Sequence, residues 1–180
     1  GNYRIFSPKD LNVRLPRELL QNWSWDGVDI SRESMADRTD FASVQGYTFR
    51  KIEDDYDIIF DDDGAGEVAD LVAVRVRQHW IEVDLYHCKY CKSGQAPGAR
   101  VDDVYVVTGQ AGRSVKWHAR GPALFQRLLD RYGKSQSRGR ERILKGSPEE
   151  IDVLRKKARD MELRLGFIVV QPAISTSANV

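Results

Sequence analysis

The chain has 180 residues, 41% of them hydrophobic and 31% charged, with a formal net charge of +1. That length suits one domain, or one domain with an arm, and the apolar share is enough to build a core. Two cysteines exclude a disulfide framework, no apolar run nears the roughly 20 residues that span a bilayer, and the opening GNYRIF is no secretory signal.

In chain order, YRIFS (residues 3–7) reads as a short strand and LPRELLQNWSW (15–25) as a short helix with Pro16 near its start. The stretch from Gly27 to Phe41 is mixed, with Asp and Ser positions that offer helix caps. FASVQGYTFRKI (41–52) predicts a helix that buries Phe41, Val44, Phe49 and Ile52. YDIIF (56–60) is strand-rich, and DDDGAGE after it is turn chemistry. ADLVAVRVR (69–77) and WIEVDLYHCKY (80–90) predict two strands separated only by Gln78 and His79, hence a hairpin pairing 77 with 80. Residues 101–117 predict a helix with Val104, Val107, Ala111 and Val115 on one side. PALFQRLLDRY (122–132) predicts a second helix ended by Gly133, and 133–146 a basic loop. SPEEIDVLRKKARDMEL predicts a third, with Ser147 as cap, Pro148 at the first position and Glu150 completing a capping box. GFIVVQP (166–172) predicts a buried strand stopped by Pro172.

This order predicts an α/β or α+β sandwich, a mixed sheet with helices on both faces. Residues 1–40 are expected to form an arm partly packed on a core of 41–175, with 176–180 as a tail. Lacking an initial Met and ending on SANV, the chain reads as a cytoplasmic domain cut from a longer protein.

Charge is segregated. Residues 53–70 hold nine acids and no base; residues 113–145 hold ten Lys or Arg and two acids. A near-neutral total can therefore hide a basic face able to bind phosphates.

The densest chemistry is HCKYC (87–91). A structural zinc site takes four ligands; Cys88, Cys91 and His87 would need His79 from across the hairpin, an improvised set. A redox pair normally sits at a helix N-terminus, and this one follows a strand. GKS (133–135) lacks the second glycine of a phosphate loop, and DDDGAGE lacks the spacing of a calcium loop. Strand alternation is more informative. Ile81, Val83, Leu85, His87 and Lys89 share one face, and Cys88 takes the other as a small buried hydrophobe. Pairing 77 with 80 sets Asp70 opposite His87, so a carboxylate, an imidazole and an ammonium converge at one sheet edge.

This constellation resembles the PD-(D/E)xK nuclease superfamily, in which an Asp on one strand precedes a (D/E)-x-Lys on the next. The resemblance implies a restriction-endonuclease-like fold and metal-dependent phosphodiester hydrolysis. Asp70 would hold Mg²⁺ or Mn²⁺. Lys89 would orient the attacking water and offset charge on the phosphate. His87 stands where the family has Asp or Glu, and Glu67 or Glu33 would supply the missing carboxylate. The family pattern also points to Gln110 on the following helix. Arg113, Lys116, Arg120, Arg138 and Arg140 are the expected contacts to DNA phosphates, while Trp117 reads as core. A narrower resemblance, carried by DDDGAGEVADLVAV, IEVDLYHCKY, PGARVDDVYVVTGQAGRSVKW and IVVQPAIS, is to nuclease modules of large helicase-linked restriction and phage-defence proteins. It implies a helicase domain in the same or an associated chain; the lack of a long apolar run in turn leads us to expect no membrane partner. The alternative reading is a catalytically degenerate module of the same fold that binds nucleic acid or docks a protein.

Overall fold

The computed structural model describes residues 19–36, 40–91, 109, 114, 116–117 and 120–172. Its elements are α1 (Val44–Ile52), β1 (Ile58–Asp61), β2 (Leu71–Val76), β3 (Trp80–Cys88), α2 (Gly121–Gln136), β4 (Ile143–Lys145), α3 (Pro148–Lys157) and β5 (Glu162–Val170). The strands form one mixed sheet in the order β4-β1-β2-β3-β5. All neighbours are antiparallel except β3 and β5, which run parallel. This is the expected α+β sandwich.

The hairpin forms in the expected register. Leu71 pairs with Tyr86 and Val76 with Ile81, and the Arg77 N–H donates to the Trp80 carbonyl at 3.0 Å. Alternation then sorts the side chains into two cores. Val72, Val74, Ile81, Val83 and Leu85 pack with Leu124, Phe125 and Leu128 of α2 and with Ile151 and Leu154 of α3. Ile59, Leu71, Ala73, Tyr86 and Cys88 pack with Val44, Phe49 and Ile52 of α1. Helices therefore cover both faces. Each fully buried Leu, Ile or Phe in these layers contributes about 1.5–3 kcal/mol.

Local chemistry sets the helix starts. Ser43 Oγ accepts from the Gly46 N–H at 3.1 Å, so α1 begins at Val44 rather than at Phe41. A Cβ on Gly46 would lie 2.3 Å from the Asp40 carbonyl, so the turn before α1 closes onto a glycine. Ser147 Oγ accepts from the Glu150 N–H at 3.2 Å, with Pro148 at the first position as expected.

Several expectations are corrected. Residues 20–25 are not helical; Trp23 and Trp25 instead stack around Tyr47, with centroids 6.2 and 5.2 Å from its ring. Gly133 does not end α2, which runs on to Gln136. A mid-helix glycine costs about 1 kcal/mol, less than α2 gains by burying Leu124, Phe125 and Leu128. The expected 133–146 loop contains β4, which pairs with β1. The third helix stops at Lys157, and the final strand starts at Glu162, ahead of the expected Gly166. The expected strand at 3–7, residues 15–18 and the 176–180 tail lie outside the described residues, as does most of the expected helix at 101–117, with Gln110 and Arg113. No helix among the described residues is long and apolar enough to cross a membrane.

Candidate functional site

The β1–β2 connection, residues 62–70, carries the acids, and two backbone positions shape it. Gly64 (φ 111) and Gly66 (φ 79) adopt left-handed conformations that side chains disfavour. The turn closes through the Glu67 N–H donating to the Gly64 carbonyl (3.0 Å) and the Gly64 N–H donating to Glu67 Oε2 (2.9 Å). Asp63, Glu67 and Asp70 each bring one carboxylate oxygen to within 4.8 Å of the others.

Asp70 is the buried member, 6% exposed. Its N–H donates to the Tyr86 carbonyl, continuing the hairpin ladder by one step. Its Oδ2 accepts from the Cys88 N–H at 2.8 Å, which turns the carboxylate toward the end of β3. Burial pushes its carboxyl up to about 8, and the neighbouring charges of Glu67, Asp63 and Glu33 add to the rise. Glu67 is also raised, chiefly by burial. Three crowded carboxylates whose ionised forms disfavour one another are a hard-oxygen donor set, the kind that Mg²⁺ or Mn²⁺ takes. These residues fit such an ion.

Lys89 reaches the site through Glu33. Its Nζ donates to Glu33 Oε2 at 2.7 Å, and the Tyr90 N–H donates to the same oxygen at 3.2 Å. Glu33 lies close enough to Asp70 to raise its titration. The arm segment carrying Glu33 is stitched across the start of α1: the Val44 and Gln45 N–H groups donate to the Arg32 and Glu33 carbonyls, both at 2.9 Å. Gln45 is 1% exposed and ties the parts together. Its Oε1 accepts from the Met35 N–H (2.7 Å), and its Nε2 donates to Asp61 Oδ1 (3.0 Å) and to the Asp70 carbonyl (3.1 Å).

The two nominated acids take different places: Glu67 joins Asp70 in the carboxylate group, while Glu33, near enough to Asp70 to raise its titration, holds Lys89. Asp63 was not anticipated; its only signal was its place in a run of three aspartates. Ser34 Oγ donates to Asp63 Oδ2 at 2.5 Å, a second link between arm and loop. His87 is buried at 1% exposure. It lines a cavity beside Glu67 and is not in the carboxylate group. Cys88 points to the other face as expected, with its Sγ 3.7 Å from Thr48 Oγ1. Burial raises its thiol well above the usual range, the mark of an inert cysteine. The Cys-x-x-Cys zinc arrangement therefore does not assemble among the described residues: the only group with metal-ligand spacing is the carboxylate trio.

The segregated charges fold onto each other. Arg131 forms an ion pair with the Asp62 carboxylate and donates to the Asp62 and Ala65 carbonyls at 2.6 and 2.9 Å. Arg127 donates to the Gly66 carbonyl. Arg142 Nη1 donates to the Asp61 and Asp63 carbonyls at 2.8 and 3.2 Å. Arg140, expected on phosphate, pairs with the buried Asp61 at 3.0 Å. Much of the basic segment thus clamps the acidic loop from behind. Arg120, Arg138 and Lys116 are exposed. Asp62 still titrates up at about 6, because burial outweighs the attraction of Arg131.

No family model matches this chain, and neither a curated protein nor a solved structure matches it.

Proposed function

We propose that this chain is a metal-dependent DNA endonuclease domain that hydrolyses phosphodiester bonds, working in the cytoplasm as part of, or beside, a helicase-containing defence protein. One observation carries the chemistry: a carboxylate trio, Asp63–Glu67–Asp70, with Asp70 buried, lies at the end of the hairpin that carries Lys89, whose ammonium is held by Glu33. Mg²⁺ or Mn²⁺ bound to the trio would supply Lewis acidity toward a phosphoryl oxygen. The protein's own residues do the rest. The Cys88 N–H and Gln45 orient Asp70. Lys89 orients the attacking water and offers positive charge where the phosphate gains negative charge. Glu33 fixes the lysine's position in the absence of substrate. The exposed Arg120, Arg138 and Lys116 supply phosphate contacts that carry no sequence information. The helicase link rests on the sequence resemblance alone.

Plasmid nicking with Mg²⁺ or Mn²⁺ tests this reading. Wild type should nick only with metal, and Lys89→Ala should be slower by about 100-fold or more. Metal-independent cleavage, or an unimpaired Lys89→Ala, would sink it. A second reading, a non-catalytic module of the same fold, is favoured by the buried imidazole of His87 at the strand position where the family has a carboxylate. DNA binding that falls steeply with salt, without cleavage, would select it.

A further inference from the structure

A cavity of about 510 Å³ opens against the carboxylate loop. Its walls include Gly66, Glu67, His87, Lys116, Trp117 and Arg127. Glu67 belongs both to this cavity and to the carboxylate trio, so an occupant would lie beside one of the residues that would hold a metal. The lining also sets an indole beside two cations: Lys116 Nζ lies 5.4 Å and Arg127 Cζ 5.8 Å from the Trp117 ring centroid. Two contacts brace this part of the lining. Trp117 packs in part against the core on the α2 side, and Ser114 Oγ donates to the Val68 carbonyl at 2.5 Å.

The volume falls in the range of about 300–1,000 Å³ that encloses one small molecule. Cations beside an aromatic face suit one phosphate with its base. A paired duplex cannot fill such a hollow: its bases are stacked inward and its backbone is a stiff, convex rod. A nucleotide enters only if it leaves the stack, which costs a few kcal/mol in a duplex and far less in a single strand. We infer that the cavity is a nucleotide subsite and that the preferred substrate is single-stranded or splayed DNA, with the nucleotide next to the scissile phosphate turned onto Trp117. This rests on the endonuclease reading for the place of the scissile phosphate. The cavity itself stands on its own residues.

The test compares binding of one fluorescein-labelled oligonucleotide, as a single strand and annealed as a blunt duplex, by anisotropy in Ca²⁺. The single strand should bind at least about tenfold more tightly, and Trp117→Leu should remove about tenfold from the single strand while leaving the duplex within about twofold. Trp117 also packs on the core, so Lys116→Ala provides a second variant at an exposed side chain. It should weaken single-strand binding and lower the salt slope by about one ion. Equal affinity for the two forms, or variants that weaken both alike, overturns the inference. The same oligonucleotides are incubated with Mn²⁺ in parallel. Absence of cleavage with selective binding retained defeats the endonuclease reading and upholds the subsite, whereas cleavage of both forms at equal rates with unselective binding does the reverse.

Discussion

Replacing Asp70 by Asn should stabilise the metal-free protein at neutral and alkaline pH while removing its metal response. An ordinary aspartate titrates near 3.8, and Asp70 is pushed up to about 8, first by burial and then by Glu67, Asp63 and Glu33. A raised carboxyl means that the folded chain holds a proton the unfolded chain has released. Stability from this group is therefore complete below about pH 4 and is lost as pH climbs toward 8. From 3.8 to pH 7 the deficit is on the order of 4 kcal/mol, at about 1.4 kcal/mol per pH unit. Asn keeps a side-chain oxygen to accept from the Cys88 N–H and carries no charge. Urea unfolding in chelator should show wild type losing stability between pH 5 and pH 8 much more steeply than Asp70→Asn. Asp62 and Glu67, also raised, are common to both proteins and largely cancel. Metal should then narrow the gap, because an ion at 100 times its Kd adds about 2.7 kcal/mol to wild type and little to the variant. An Asp70→Asn protein with the wild-type pH slope in chelator would refute the reasoning, since the buried charge would then cost the fold nothing.

Three further outcomes follow from other contacts. Glu33→Gln should leave urea stability within about 1 kcal/mol, because its pair with Lys89 is partly exposed, while shifting the pH dependence of nicking; a large loss of stability would make Glu33 a structural residue instead. Arg131→Met should cost about 3–5 kcal/mol by leaving the buried Asp62 unpaired, and adding Asp62→Asn should recover most of it; thermal unfolding of the two variants decides. Gly166→Ala should destabilise by about 1–3 kcal/mol, because its Cβ would fall 2.0 Å from Asp84 Oδ1 on the neighbouring strand. Asp84 cannot swing aside freely, since its Oδ2 is held by Tyr56 Oη at 2.5 Å and Arg75 at 3.1 Å. An unchanged melting temperature would show that this network yields.

What was legible in the sequence was local. The two-residue turn at Gln78 and His79 sets the hairpin register, and period-two alternation then sends Cys88 to the α1 face, with His87 and Asp70 left at the same end of the hairpin. Ser147 and Pro148 mark a helix start from neighbours alone. β4 escaped notice because it is three residues in a basic run, and it exists only because β1 offers a free edge. The helical reading of Leu20 to Trp25 failed because both tryptophans find better burial around Tyr47 than a helix would give them.

Charge marks the division between the two levels. From the sequence, acids at 53–70 and bases at 113–145 implied a free basic face. In the fold, Arg127, Arg131, Arg140 and Arg142 close on the carbonyls and carboxylates of the loop from Asp61 to Gly66. Opposite charges remote along the chain are neighbours in space, and no local pattern records the pairing. The same holds for Asp63 and for the division between Glu67 and Glu33. Turn chemistry and alternation act over a few residues, so the sequence determined the hairpin and the end of it that carries both Asp70 and Lys89. Which carboxylate joins Asp70 and which holds the lysine depends on how the arm crosses the start of α1, and only the tertiary structure decided that.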